Sequence, residues 1–454
     1  MHGCADHRRT SRRRLLGTAP GALVPVPADL LSLGGERFVA QGRTRRDFLV
    51  GGVGAMLALT AASRLQPWEV VAEAAAAAAG STDPILVSLY LGGGNDGLNT
   101  LVPLTGADHA AYWAARPRLR IDPATTLPVA GGDLGWHPQA AGFRTLHDRG
   151  ELAAYLGVDY PAPDYSHFQS AYYWRTGQVG HGPVTGWLGN YLDRHGSRDN
   201  PLQGVAVEWS ADEVLRTARA PTCAVFSPTD DSWWSPDVWD DARLFDAYRS
   251  LIGTARSPAR ARAMAVAAQS VYVRDHLKAL RAEATPPPPP TPYPVSDTGK
   301  ALANLARMLG AGLGIRVATV LAAGAFDTHR DQAKTHGDDL ADVADALVAF
   351  QDDLHARGLA DRVVTIVWSE FGRRIADNES GGTDHGAGSS VLVVGNRVRG
   401  GLSGTWNLAG AGAYDGSIPV AVDFRDLYAT ALGWLDTDPE PILGKGFHPQ
   451  AILA

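Results

Sequence analysis

Three stretches in the last third of the chain are apolar and β-branched with no polar alternation: IRVATVLAAG from Ile315, RVVTIVW before Ser369, and VLVVG from Val391. Runs of this kind predict strands buried on both faces, as in a parallel sheet. Between the first two, Leu340, Val343, Leu347, Phe350 and Leu354 recur at helical spacing and predict an amphipathic helix. Strand, helix and strand make a βαβ crossover. Ile85 to Leu91 is an earlier run of the same type, closed by the turn Gly92–Gly94, and a helix in HPQAAGFRTLHDRG precedes a second buried strand in ELAAYLGVD. Short strands are expected at Val205–Glu208 and Ala224–Phe226, and helices at Phe168–Arg175, Thr185–Asp193 and Pro258–Ala284. Asp423 should cap a helix with Leu427, Ala431, Trp434 and Leu435 on its inner face. The pattern gives an α/β fold with a mostly parallel central sheet between helices. Thr285–Pro294 reads as an exposed polyproline spacer. It ends a helical, Pro-rich insertion at 210–297, inside one domain spanning 80–454. Trp233, Trp234 and Trp239 suggest an aromatic patch used in core or lid packing.

The polar residues gather where the runs stop. Asp327 and His329 follow the first, Glu370 and Arg373 follow the second, and Asp384 and His385 precede the third. Open α/β sheets bind ligands outside the carboxyl ends of their strands. Carboxylates and imidazoles placed there can hold a divalent metal or move protons. The same residue types also cap helices and satisfy loops. Asp96 follows the first strand in GGGNDG, without GxGxxG or Walker spacing, so it reads as a metal-ligand candidate or as the Asp of a plain turn. Ser166 and His167 stand just before a helix; Ser166 is either an N-cap or a hydroxyl activated at a helix amino terminus. We expect Asp96, Asp327, His329, Glu370 and His385 to converge in one pocket.

Composition narrows the partners. Of 454 residues, 20% are charged and 45% hydrophobic, an ordinary globular balance. Residues 1–79 hold ten Arg against six acidic residues, so the net −7 of the whole chain leaves −11 on the remainder. An acidic domain argues against nucleic acid or anionic lipid as its main partner, while a small anionic ester held by a local metal remains compatible. Arg45 and Arg46 in TRRDFLV precede a mild apolar stretch, Phe48–Ala62, too short and weak to span a membrane, and then small residues suited to cleavage near Ala78 or Ala79. This reads as a twin-arginine export signal, with no stable membrane span after cleavage. A second cluster, SRRRLLG from Ser11, suggests a duplicated signal or a start assigned too far upstream. Of Cys4 and Cys223 only the latter would survive export, which leaves no disulfide, zinc finger or redox pair in the mature chain.

In order, GGGNDGLNT, DYSHF, TGWLGNYLD, FDTH, SEFGRR, GGTDHG, DFRDLYA and LGKGF span nearly the whole of 80–454. Together they resemble the exported bacterial family called domain of unknown function 1501, itself similar in fold to the alkaline phosphatase and sulfatase superfamily. The resemblance implies a three-layer sandwich that typically holds two divalent metals, of zinc, calcium, magnesium or manganese type. It places Asp96 at the first-strand ligand, Ser166 at the nucleophile, Asp327 and His329 at the middle pair, Glu370 after the next strand and His385 at the late His. The chain departs from that pattern in three places. The middle pair is Asp-x-His, where Asp-x-x-x-His is usual, with His336 further on. Glu370-Phe371 stands where Asp-His is expected, and Asp384-His385 comes later, in a loop.

Three functions compete on these residues. The first is an exported, metal-dependent hydrolase of phosphate or sulfate esters, with Ser166 or a water as nucleophile and His167 or Arg373 steadying the leaving charge. The second is an exported binding or assembly protein with a structural or degenerate metal site. The third, a serine hydrolase built on Ser166, His385 and an Asp, is disfavoured by the absence of a GxSxG elbow.

Overall fold

The computed structural model describes residues 82–180, 184–229, 241–252, 257–282, 287–408 and 416–453. The arginine-rich leader and Trp233, Trp234 and Trp239 lie outside the described residues. The strands in chain order are β1 (Ile85–Tyr90), β2 (Leu101–Pro103), β3 (Leu127–Pro128), β4 (Leu134–Trp136), β5 (Leu152–Asp159), β6 (Gly204–Ala206) and β7 (Cys223–Ala224). They continue with β8 (Val317–Leu321), β9 (Val363–Trp368), β10 (Gly372–Asp377), β11 (Thr383–Gly386), β12 (Ser389–Val394), β13 (Gly401–Gly404) and β14 (Val422–Asp423).

Nine of them form one mixed, mostly parallel sheet in the order β13-β5-β12-β9-β1-β8-β6-β7, with β14 beside β5. The continuous apolar runs serve both of its faces. On β9, Val363 and Val367 join one hydrophobic cluster, while Val364, Ile366 and Trp368 join the other. Leu340, Val343, Leu347, Phe350 and Leu354 of helix Gln332–Ala356 are buried in the first cluster with helices Ala141–Asp148 and Asp297–Gly310. Helices His167–Thr176, Trp187–His195 and Phe424–Trp434 cover the other face. The result is helix, sheet, helix. Asp423 caps its helix by accepting from the Arg425 amide.

The crossover is present, and one expectation about strand direction needs correcting. β8 and β9 do not lie side by side; both pair with β1, in parallel and on opposite edges, so the crossover helix carries the chain across β1. The third apolar run, β12, is antiparallel to both β9 and β5. The cause is the connection. A parallel return needs a crossover of a dozen or more residues, whereas the chain after β9 folds into the β10–β11 hairpin at the carboxyl edge and re-enters the sheet from there. Asp384 and His385 therefore sit on a hairpin strand, not in a loop. Because β12 starts where β9 ends, they still reach the same edge as Asp327 and Glu370.

The Pro-rich segment is anchored as well as exposed. Pro287, Pro288 and Pro290 face solvent, while Thr291 and Tyr293 donate to Asp352 and Asp353 of helix Gln332–Ala356.

Candidate metal centre and its hydrogen-bond network

The turn after β1 organises the site. Gly93 and Gly94 hold φ of +125° and +83°, and a Cβ on Gly93 would stand 2.3 Å from the Asp327 amide nitrogen. Only glycine meets both demands. The turn's amides all point at the end of β9: Gly93 and Gly94 donate to the Glu370 carboxylate, and Gly94 and Asn95 to Ser369 Oγ. Ser369 Oγ is itself within 3.1 Å of Glu370 Oε2. The turn's carbonyls go to Arg373 on β10, whose Nε donates to Gly94 at 2.7 Å and whose terminal nitrogens reach Gly93, Thr383, Phe326 and Asp327 Oδ1. Arg373 is fully buried and every nitrogen is engaged. It positions the loop and Asp327, and has no free fork for a leaving group. That corrects the catalytic role expected of it.

Around Asp327 the structure gathers three imidazoles. His385 Nε2 lies 3.1 Å from Asp327 Oδ1, His329 Nε2 lies 3.2 Å from the same oxygen, and the two imidazole nitrogens are 2.9 Å apart. Donor atoms of His167, Asp327 and His385 fall within 4.8 Å of one another. The opposite ring nitrogens fix the tautomers. His385 Nδ1 meets the Tyr165 carbonyl at 2.9 Å, which can only accept, so that nitrogen carries the proton. His329 Nδ1 faces Asp384 Oδ1 at 3.3 Å, again an acceptor. Burial lowers the His385 pKa against the opposing pull of Asp327, which keeps a second proton off its ring. In the neutral tautomers two Nε2 lone pairs and a carboxylate oxygen therefore point at one another, and a single shared proton cannot satisfy all three contacts. A cation can. Ligating histidines characteristically donate their other N–H to a carboxylate or carbonyl, as both do here.

His167 is different. Its Nδ1 is 2.7 Å from Glu370 Oε1 and its Nε2 is 3.5 Å from Asp327 Oδ2, so both nitrogens face carboxylates. Burial opposes its charge, but hydrogen bonds to Asp327 and Glu370 prevail and raise its pKa to about 9. Glu370 is held below its usual range: burial works the other way, and the His167 bond and the Gly93 amide outweigh it. Asp327 is lowered too, burial again being outweighed by His167, His329, His385 and Arg373. His167 is a proton holder, better suited to donate than to ligate.

The other expected residues divide. Asp384, half exposed, orients His329 with help from Asn378. Ser166 precedes helix His167–Thr176 and is exposed, but its hydroxyl makes no capping hydrogen bond. It is flanked by Tyr165, whose carbonyl accepts from His385 Nδ1, and by His167. Asp96 does not join this cluster. It is fully buried, bound to Arg116 at 2.6 Å, to the Gln332 amide and to the Asn99 backbone. Burial would raise its pKa, and the Arg116 charge with the hydrogen bonds from Arg116 and Gln332 lower it instead. Its expected place as a metal ligand is taken by a guanidinium. His336, the later His noted beyond the Asp-x-His pair, is buried beside Asn95, donating to its side chain at 2.9 Å. Arg116 and Gln332 went unmarked because nothing local signals a partner 20 or 236 positions away.

A family model now matches residues 149–448, described as "Protein of unknown function (DUF1501)". The chain belongs to the DUF1501 family. β1 and the GGGNDG turn lie ahead of the matched residues. No curated protein matches the chain. Among solved structures it is similar to the lipoteichoic acid synthase LtaP from Listeria monocytogenes, at 9% identity and TM-score 0.30, covering 81% of this chain and 78% of that one. It is also similar to the PsFucS1 sulfatase from Pseudoalteromonas sp., at 11% identity and TM-score 0.35, covering 86% and 77%. A third similarity, to Ps i-CgsB, has 12% identity and TM-score 0.37 over 81% and 78%. Likeness at these scores carries nothing about activity, and the functional reading rests on the geometry of the site.

Proposed function

We propose that this DUF1501 protein is an exported, metal-dependent hydrolase of phosphate or sulfate esters. The observation that carries the reading is the convergence of His329 Nε2, His385 Nε2 and Asp327 Oδ1, with both outer ring nitrogens tied to acceptors. A divalent cation on that set would supply Lewis-acid polarisation of a phosphoryl or sulfuryl oxygen. Arg373 holds Asp327 in place. His167 keeps a proton at the mouth of the site and can deliver it to a leaving oxygen. Ser166, whose hydroxyl makes no capping hydrogen bond, stands at the amino end of a ten-residue helix, in the favourable field of its dipole, and is the nucleophile in this reading.

The test is metal content and turnover together. His329→Ala and His385→Ala should each purify folded with their metal lost, by elemental analysis. Ser166→Ala should keep its metal and lose turnover of 4-nitrophenyl phosphate, bis(4-nitrophenyl) phosphate and 4-nitrophenyl sulfate by several orders of magnitude. Full metal retention in both histidine variants sinks the metal centre. One observation favours a binding protein on the same fold: the Ser166 hydroxyl makes no capping hydrogen bond, and among the described residues none is seen to activate it. Metal retention without turnover on any of the three esters would support that second reading.

Export rests on Arg45 and Arg46. Replacing both with Lys should hold the precursor in the cytoplasm, as read by cell fractionation; unchanged secretion would rule out this pair as the signal.

A further inference from the structure

We infer that the segment 161–166 is a strained strap whose closure on His385 and the binding of a cation at the site favour one another. Metal loading would then draw Ser166 and His167 into place. This rests on the metal centre of the hydrolase reading and deepens it by naming how that centre is regulated.

The strain lies at Ala162, which holds φ of +54°. In that left-handed region Cβ crowds the following carbonyl oxygen. Among the described residues, the others at positive φ, glycines apart, are Asp331, Asn407 and Asp436. Those are the two types whose short polar side chains can bond locally in this conformation, and alanine has no such recourse. Ala162 also stands between Pro161 and Pro163, and a proline restricts the residue before it to extended backbone. The side chain is exposed, so packing does not offset the cost. Strain of this kind persists where the surroundings fix it, and it gathers at ligand clamps and switches.

The surroundings that fix it lead to the site. The Asp164 amide donates to Tyr160 Oη at 2.7 Å and closes the chain around Ala162. The Ser166 amide donates to Asp164 Oδ1 at 2.8 Å. Tyr165 then latches the strap outward: its Oη lies 2.9 Å from Ser417 Oγ, and its carbonyl accepts from His385 Nδ1 at 2.9 Å. That last bond keeps the ring proton on Nδ1 and turns a lone pair on Nε2 toward Asp327 and His329. A cation at Nε2 requires the same ring form. With the strap lifted, His385 loses the acceptor that fixes its tautomer. Latch and cation therefore select one state of one ring, and by linkage each strengthens the other. The strain at Ala162 works against both.

Two substitutions at this exposed position should act in opposite directions. Ala162→Val puts a β-branched residue into the left-handed region and makes the latched strap costlier; Ala162→Gly removes the cost. In the purified protein, stripped of metal and titrated with zinc against a competing chelator, Ala162→Val should bind about tenfold more weakly, the low end of what losing a ligand's outer partner costs. Ala162→Gly should bind at least as tightly as the wild type. Hydrogen exchange read by mass spectrometry gives a second measure: zinc should slow the amides of Asp164, Tyr165 and Ser166 more than those of β5. Wild-type zinc affinity in both variants, or equal weakening in both, overturns the coupling and leaves the metal centre standing. So does strap exchange that zinc slows no more than that of β5. A wild-type protein that binds no zinc overturns both.

Discussion

Asp96 and Asp327 each follow a strand at the carboxyl edge of one sheet, and the chain treats them in opposite ways. Asp96 is fully buried and meets a fixed internal cation, Arg116, at 2.6 Å. Arg116 has its remaining donors on Asn99 Oδ1 and on the carbonyls of Arg374 and Ile375. That network is closed: every strong charge in it has a partner supplied by the chain. Asp327 is partly open to solvent and also has its arginine, but the same oxygen faces two imidazole nitrogens whose protons are committed elsewhere. In the proposed reading a cation completes its network. The difference separates, on one sheet edge, a carboxylate closed by the chain from the carboxylate on which the proposal rests. What decides is not burial or charge but whether the acceptor's partners bring hydrogens or lone pairs.

The largest effect that can break this comparison is on the closed side. Arg116→Met keeps much of the side-chain volume and strands the Asp96 carboxylate in the core. Removing one partner of a buried pair costs about 3–5 kcal/mol, which urea unfolding will read directly. Metal content, measured under conditions where the variant is folded, should stay at the wild-type value. Loss of metal together with stability would mean that Asp96 belongs to the metal centre after all. Unchanged stability would mean that the buried pair contributes nothing.

The contrast also explains what could be read in the sequence. The strands were legible because an unbroken apolar run such as VVTIVW has only one comfortable environment, the inside of a sheet covered on both faces. Direction was not legible: Ser389–Val394 carries no mark of which way it runs, and the reversal comes from a polar hairpin, GRRIAD with TDHG, that lacks strand-like periodicity. Asp327, His329, Glu370 and His385 were legible as a group because each abuts a strand at the same edge. Asp96 met the same criterion and falls outside the group. Its partner is an arginine on the chain after helix Gly106–Ala115, and sequence position says which residues end strands, not what folds back upon them. Arg373 taught the converse, since a guanidinium bonded to four carbonyls and the Asp327 carboxylate looks no different in sequence from one waiting for substrate.

A smaller effect sharpens the closed side further, through His336. This residue is buried next to Asp96, donates from Nε2 to Asn95 Oδ1, and has an Nδ1 with no hydrogen-bond partner among the described residues. A second proton would go to Nδ1, and the resulting charge would sit without an acceptor. Burial lowers the His336 pKa to about 3; Asp96 pulls the other way, and His137, Arg116 and Arg373 add to the lowering. The sign follows. In the unfolded chain the ring takes up a proton near its ordinary pKa of about 6.5, whereas the folded protein resists protonation down to about pH 3. Across that window the unfolded state binds more protons, so stability falls as the pH falls, by at most about 1.4 kcal/mol per pH unit from this one group. His336→Gln can keep an N–H near Asn95 and cannot titrate. Its urea-unfolding free energy, followed from about pH 7 to pH 4, should fall less steeply than that of the wild type by about that amount per unit. If the two slopes coincide, His336 is not held neutral by its surroundings, and the region around Asp96 is more open to water than its contacts imply.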